Sequence, residues 1–124
     1  KNPNTISMFG ENFNLKNDEE ILKINSPQSS LEGPYVVVYK SIAQRWVIVT
    51  MNWDDAPTLG IRWFWGKNGN PISRSYATWL VIPSMLHNAV LNGLPLEFAF
   101  RDKVNRFLVG EIDGATLKRG GYAK

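Results

Sequence analysis

Thr58-Leu59-Gly60-Ile61-Arg62-Trp63-Phe64-Trp65 and Ile72-Ser73-Arg74-Ser75-Tyr76-Ala77-Thr78-Trp79, joined through Lys67-Asn68-Gly69-Asn70-Pro71, set aromatic rings and guanidinium groups on what reads as two neighbouring strands. Asn68-Gly69 is the strongest short turn signal, because both residues tolerate positive φ, so the segment predicts a β-hairpin. Side chains alternate along a strand, which puts Leu59, Ile61, Trp63 and Trp65 on one face and Gly60, Arg62 and Phe64 on the other. The first set has the composition of a core face. Across the turn, Arg74, Tyr76 and Thr78 share a face, and pairing them with Arg62 and Phe64 makes a mixed cationic and aromatic surface. A one-residue slip of register inverts that assignment. Trp46 can join the surface from the preceding strand.

Working outward, Tyr35-Val36-Val37-Val38-Tyr39 is continuous and β-branched, as a buried strand is, and Arg45-Trp46-Val47-Ile48-Val49-Thr50-Met51 follows a short turn to pair with it antiparallel. Asp54-Asp55-Ala56-Pro57 is turn chemistry that starts the aromatic strand at Thr58. After Thr78 the alternation stops. Pro83-Ser84 before Met85 to Asn92, with Gly93 just beyond, predicts a short helix over about 83–92 whose apolar positions Met85, Leu86, Ala89 and Val90 face the sheet. Leu96 to Arg101 and Val104 to Ile112 read as a second, C-terminal hairpin about Asp102-Lys103. Residues 1–34 read as an appendage, with a short strand at Thr5 to Phe9 and a helix at Glu19 to Ile24 capped by Asn17-Asp18. Residues 113–124 read as a mobile basic tail. The expectation is one α+β domain spanning 1–124: a twisted antiparallel sheet with one short helix packed on it, plus the hairpin.

The composition removes several chemistries. The 124 residues suit a single core, and no apolar run approaches the roughly 20 residues of a membrane helix, so a soluble, cytoplasmic protein without membrane partners is expected. With no cysteine there are no disulfides, thiolate nucleophiles or cysteine metal sites. The net charge of +3 is uneven: residues 1–32 hold three basic and five acidic groups, so the sheet region carries the basic surplus, which suits a polyanion partner and equally a solubilising surface. His87, the only histidine, sits mid-helix among apolar neighbours, where a partly exposed helix histidine is the simplest reading. Asp54-Asp55 before proline caps backbone better than it chelates metal, and Ser73 and Ser75 lack a base. No glycine cluster has the strand, GxxxxGK[ST] and helix context of a phosphate loop. A non-enzymatic protein without metal or cofactor is expected.

Ile61-Arg62-Trp63-Phe64-Trp65, the loop holding Lys67 and Gly69, the following strand with Arg74 and the proline-started helix from Pro83 resemble the core of the transcriptional positive cofactor family of single-stranded DNA binders, over about residues 35–92. The resemblance implies four antiparallel strands and a helix, a homodimer, and unpaired DNA or RNA gripped by curved sheets. Ala77 to Ile82 stands where that family has a basic, glycine-containing stretch. The candidate nucleic-acid contacts are Trp46, Arg62, Phe64, Lys67, Arg74 and Tyr76. Two other readings compete: a protein-binding or homodimerisation module that buries a tryptophan-rich sheet, and a half-barrel pocket for a small apolar ligand between sheet and helix.

Overall fold

Val47, Val49 and Met51 on one side and Ile48 and Thr50 on the other are all buried, so the strand that carries them is covered on both faces. That strand, β3 (Trp46–Trp53), is the centre of the fold in the computed structural model, which describes residues 13–66 and 68–119. It pairs along its whole length with antiparallel β4 (Ala56–Trp63), from Trp46 opposite Trp63 to Trp53 opposite Ala56. The connection is Asp54-Asp55, both at positive φ (51° and 68°), the geometry of a tight hairpin turn that aspartate tolerates better than most residues. The strand therefore starts two residues before the expected Thr58.

On its other edge β3 holds two short partners in succession, β1 (Leu31–Glu32) at the Trp53 end and β2 (Val37–Ser41) at the Trp46 end. Beyond β4 lies β7 (Leu80–Ile82), with Leu59 opposite Ile82 and Ile61 opposite Leu80. The hairpin expected between Thr58–Trp65 and Ile72–Trp79 is not formed. β5 (Ile72–Ser73) and β6 (Tyr76–Ala77) pair with each other as a separate ribbon, and a bridge between Trp63 and Asn70 joins that excursion to β4. Pro71 has no N–H to extend a ladder, and the Arg62 side chain occupies the space between strand and returning chain. It donates to the carbonyls of Asn68, Pro71 and Thr78. A Cβ on Gly69 (φ +66°) would collide with the Arg62 guanidinium and the Trp63 carbonyl, so the loop closes over the arginine only with glycine there.

One face of the sheet is covered by the N-terminal segment. Phe13, Leu15, Ile21 and Ile24 pack with Phe64, Ala77 and Trp79 onto Val47, Val49 and Met51. Residues 13–24 are thus a layer of the core rather than an appendage beside it. Their one helical turn, α1 (Asp18–Ile21), is capped by the Asn17 side chain, which accepts from the Glu20 N–H. The Trp79 indole N–H donates to the Ile24 carbonyl at 2.7 Å, tying the cover to the chain leading into β7. The strand expected at Thr5 to Phe9 lies outside the described residues.

The opposite face, carrying Ile48, Leu59 and Ile82, is covered by Leu91 of α2 (His87–Gly93) and by Phe100 and Val104 of α3 (Phe98–Leu108). α2 follows a single 3-10 turn, Ser84–Leu86, at the expected place but presents a different face: His87 and Leu91 are inside, and Met85, Leu86 and Ala89 are outside. The C-terminal hairpin is replaced by α3. Phe100, Val104 and Phe107 recur at helical spacing and are all buried, and Asp102-Lys103 lacks the glycine or asparagine of a tight turn. Gly110, at φ +87°, ends that helix region in the left-handed conformation. The segment read as a tail folds in part into α4 (Gly114–Arg119), with the Asp113 carboxylate accepting from the Thr116 N–H and Leu117 buried; residues 120–124 lie outside the described chain. The architecture is α+β, an antiparallel sheet between an N-terminal cover and a helical layer. Among the described residues no helix is long and apolar enough to cross a membrane.

Candidate binding surface at the tryptophan end of the sheet

Because both faces are covered, the residues expected to form a functional face divide. Arg62 and Phe64 are fully buried, each with 0% exposure, on the side closed by residues 13–24. The Arg62 guanidinium lies 5.0 Å from the centre of the Phe64 ring, and Phe13 packs on the same ring at 4.9 Å. Burial pushes the Arg62 pKa down to about 10, still high enough for full protonation at neutral pH. Arg62 is thus a structural clamp and cannot touch phosphate. Arg74 and Tyr76 are exposed on the β5–β6 ribbon, Tyr76 by 67%. Trp46 is half-buried, and Lys67 falls outside the described residues.

The structure brings together a different set, at the end of the sheet where β2 turns into β3 and β4 ends. Trp46 and Trp63 face each other across β3 and β4, and Tyr39 lies beside Trp46 with ring centres 5.6 Å apart. Trp65, which alternation assigns to the core, is 51% exposed. Its indole N–H donates to the Gln44 carbonyl at 2.8 Å, and the Trp46 indole N–H donates to Gln44 Oε1 at 3.1 Å. Arg45 stands 5.9 Å from the Trp65 ring centre, at cation–π range. Its Nε donates to the Phe64 carbonyl and a terminal nitrogen to the Phe13 carbonyl. Positive φ at Arg45 (58°) turns the chain so that Gln44 and Arg45 present side chains beside the indoles.

Charge distribution favours the same end. Between Glu32 and Glu97 the only carboxylates are Asp54 and Asp55, which form the β3–β4 turn. That turn lies at the opposite end of β3, roughly 23 Å away at about 3.3 Å per residue, beyond a Debye length of about 8 Å at physiological salt. Lys40, on β2, is engaged by Asp18 at 2.5 Å and by the Leu15 carbonyl. Neither loop at the tryptophan end carries a carboxylate, while Asp18 of α1 reaches Lys40, next to the Ser41–Trp46 pair.

Other candidate chemistry is accounted for locally. His87 is buried, with Nε2 3.1 Å from Thr58 Oγ1 and 3.0 Å from the Ile82 carbonyl; burial lowers its pKa, and the carbonyl pulls it part of the way back. The expected partly exposed histidine is a buried packing residue. Among the described residues no group of three or more His, Cys, Asp or Glu could hold a metal. The space between sheet and helices, a candidate apolar pocket in the sequence, is filled by Val38, Ile48, Leu59, Leu91, Phe100 and Val104. A cleft of about 410 Å³ opens elsewhere, between Asn52, Pro57, Phe107 and the 110–113 loop. Large apolar side chains are also exposed on β7 and on the helical segments: Leu80, Leu86, Met85 at 89% and Phe98 at 78%.

Sequence reasoning missed Trp65, Gln44 and Arg45. The signal that finds them is the segment Phe13 to Ile24, whose apolar residues need a face to cover; granting it the Arg62 and Phe64 face leaves the tryptophan end as the open aromatic surface. The chain matches no protein-family model, no curated protein and no solved structure.

Proposed function

We propose that the protein is a non-enzymatic binder of single-stranded nucleic acid, and that bases stack on the tryptophan end of the sheet. The observation that carries this reading is Trp65: half-exposed, held in orientation by its bond to the Gln44 carbonyl, and flanked by the Arg45 guanidinium. An indole fixed in that way stacks any base, at about 1–3 kcal/mol per base. Half-buried Trp46 and Trp63 extend the platform, and exposed Arg74 and Tyr76 stand on the ribbon that leaves β4 through the Trp63–Asn70 bridge. Of the contacts expected from sequence, Trp46, Arg74 and Tyr76 remain in the proposal, and Arg62 and Phe64 leave it.

Binding of a fluorescent single-stranded oligonucleotide at 50 and 200 mM salt, as round figures that span the usual counterion-release range, tests the reading. Affinity is expected to fall with salt at a log–log slope of about −0.7 for each phosphate neutralised. Trp65→Ala should weaken binding by about 5- to 150-fold, the equivalent of one stacked base. No binding at the lower salt, or equal affinity in Trp65→Ala, overturns it.

A second reading, homodimerisation, is favoured by the exposed apolar side chains Leu80 on edge strand β7, Met85 and Leu86 just after it, and Phe98 at the start of α3. It is established instead if sedimentation shows a concentration-dependent dimer that Phe98→Glu abolishes and oligonucleotide does not bind.

A further inference from the structure

A cavity of about 160 Å³ opens between α2 and α3, and the residues that line it are not those on which two helices ordinarily close. Asn88, Leu91 and Asn92 stand at i, i+3 and i+4 on α2, and Phe98, Arg101, Asp102 and Asn105 at i, i+3, i+4 and i+7 on α3, so each helix turns one stripe to the cavity. Where helices pack, such stripes are apolar. Here only Leu91 is buried, and the other groups are carboxamides, a carboxylate, a guanidinium and the Phe98 ring, which is 78% exposed. The Arg101 guanidinium is committed to the α2–α3 connection, donating to the carbonyls of Leu91, Leu94 and Leu96 at 3.1, 3.4 and 3.0 Å. The side chains of Asn88, Asn92, Asp102 and Asn105 bond no group among the described residues, so their hydrogen-bonding capacity is open to what enters.

We infer that this cavity is a carbohydrate site that takes one pyranose ring, with Phe98 against a face of the sugar and the asparagines and Asp102 on its hydroxyls. It lies on other elements than the stacking surface proposed above and does not rest on that function. Size sets the first limit: a cavity of about 150 Å³ accepts a single six-membered ring such as benzene, so this one suits a monosaccharide and is too small to enclose a nucleotide. The lining sets the second. Benzene would leave polar side chains unanswered, and a pyrimidine base offers polar atoms along one edge, whereas the polar groups here come from both helices. A pyranose carries hydroxyls around its rim, each at once donor and acceptor, and carboxamides give and accept while the carboxylate accepts. An anionic ligand is disfavoured, because the one arginine in the lining is already bonded to carbonyls and Asp102 adds a negative charge beside it. Phe98 supplies the third feature: the C–H groups on a sugar face carry slight positive charge and meet the negative face of an aromatic ring, which gives this solvent-facing phenylalanine a partner.

The test titrates the isotope-labelled full chain with the methyl glycosides of glucose, galactose, mannose and N-acetylglucosamine and reads backbone amide shifts by NMR. At least one glycoside is expected to move the amides of Asn88 to Asn92 and of Phe98 to Asn105, with a Kd on the order of 1–10 mM, the affinity of a few neutral hydrogen bonds and one ring face. Phe98→Ala should weaken it by about 2- to 12-fold, the contribution of an aromatic contact, and Asn105→Ala by about fivefold, that of one neutral hydrogen bond. Phe98→Trp keeps an aromatic face and should retain binding. Phe98 is exposed and Asn105 half-buried, so these variants keep the fold, which unchanged shifts in the sheet verify. No shift with any glycoside at about 50 mM, above the expected range, shifts confined to other parts of the chain, or parent affinity in both alanine variants overturns the inference and leaves the stacking function standing.

Discussion

Replacing Arg62 by methionine separates its role as a structural clamp from a role in contacting phosphate. The guanidinium donates to the Thr78, Asn68 and Pro71 carbonyls at 2.5, 2.7 and 3.0 Å, and hydrogen bonds from a charged donor contribute about 1.5–3 kcal/mol each. The gross loss on removing them is about 5–9 kcal/mol. Against this, methionine recovers the cost of burying the charge. The fall of the Arg62 pKa from 12.5 to about 10 corresponds to about 3 kcal/mol at 1.36 kcal/mol per pH unit. Methionine is close in volume and fills most of the space, so the net expectation is a destabilisation of about 2–5 kcal/mol. That is a large part of the 5–15 kcal/mol typical of a domain, and it lowers the melting temperature by about 10 °C or more. Urea unfolding followed by tryptophan fluorescence measures it through the midpoint at constant slope. A midpoint shift worth less than about 0.5 kcal/mol refutes the clamp, since that is the size of an ordinary surface substitution. Lost oligonucleotide affinity at unchanged stability refutes it too, by returning Arg62 to the surface.

Two further predictions follow from buried neighbours. His87 has its pKa lowered in the fold, so the unfolded chain binds the proton more readily; stability is complete above the unfolded value near 6.5 and declines as pH falls through it, levelling off below the folded pKa. His87→Gln, which keeps a polar group for Thr58 and Ile82 but does not titrate, should flatten denaturation midpoints between pH 7.5 and 5, a span set to bracket an ordinary histidine near 6.5; an unchanged slope refutes the assignment. Gly114→Ala should cost about 1–3 kcal/mol, because a Cβ there meets the Tyr35 ring, whereas Gly93→Ala meets nothing and should be neutral or stabilising by up to about 1 kcal/mol. Equal melting temperatures for the two variants would show that α4 does not pack on Tyr35.

The central strands could be read because their signals are local: β-branched runs at Val36 to Val38 and Val47 to Val49, aspartates in a two-residue turn, and proline before a helix. The features that were misread depend on contacts distant in sequence. Arg62 looks like a surface residue until Phe13 and Ile24, some forty to fifty positions earlier, close the face it occupies. Leu96, Phe98 and Phe100 alternate as a strand does, whereas Phe100, Val104 and Phe107 follow the helical period; the second pattern wins because all three of its members find the core and Phe98 does not. Alternation and apolar composition together assign Trp63 and Trp65 inward, and Trp65 departs from that because β4 ends at Trp63. The helical layer from Leu91, Phe100 and Val104 completes a core cluster on that face against which Trp46 and Tyr39 pack, whereas Trp65, beyond the last residue of β4, is half-exposed. In His87 and Leu91 the face of α2 was set by the partners Thr58 and Ile82, which helical spacing within residues 84–92 does not reveal.

Arg45 has a consequence for how the surface would report its ligand. The same guanidinium flanks Trp65 and bonds the carbonyls of Phe64 and Phe13, while the Arg45 carbonyl accepts from the Phe64 N–H. The platform and the N-terminal layer thus share one fastening. A ligand that immobilises Arg45 raises the free energy needed to peel Phe13 from the sheet, and cleavage of the chain near residue 13 by a protease should slow in proportion to occupancy, although the cut site touches no ligand. Proteolysis of the N-terminal layer then becomes a gauge of what happens at the tryptophans.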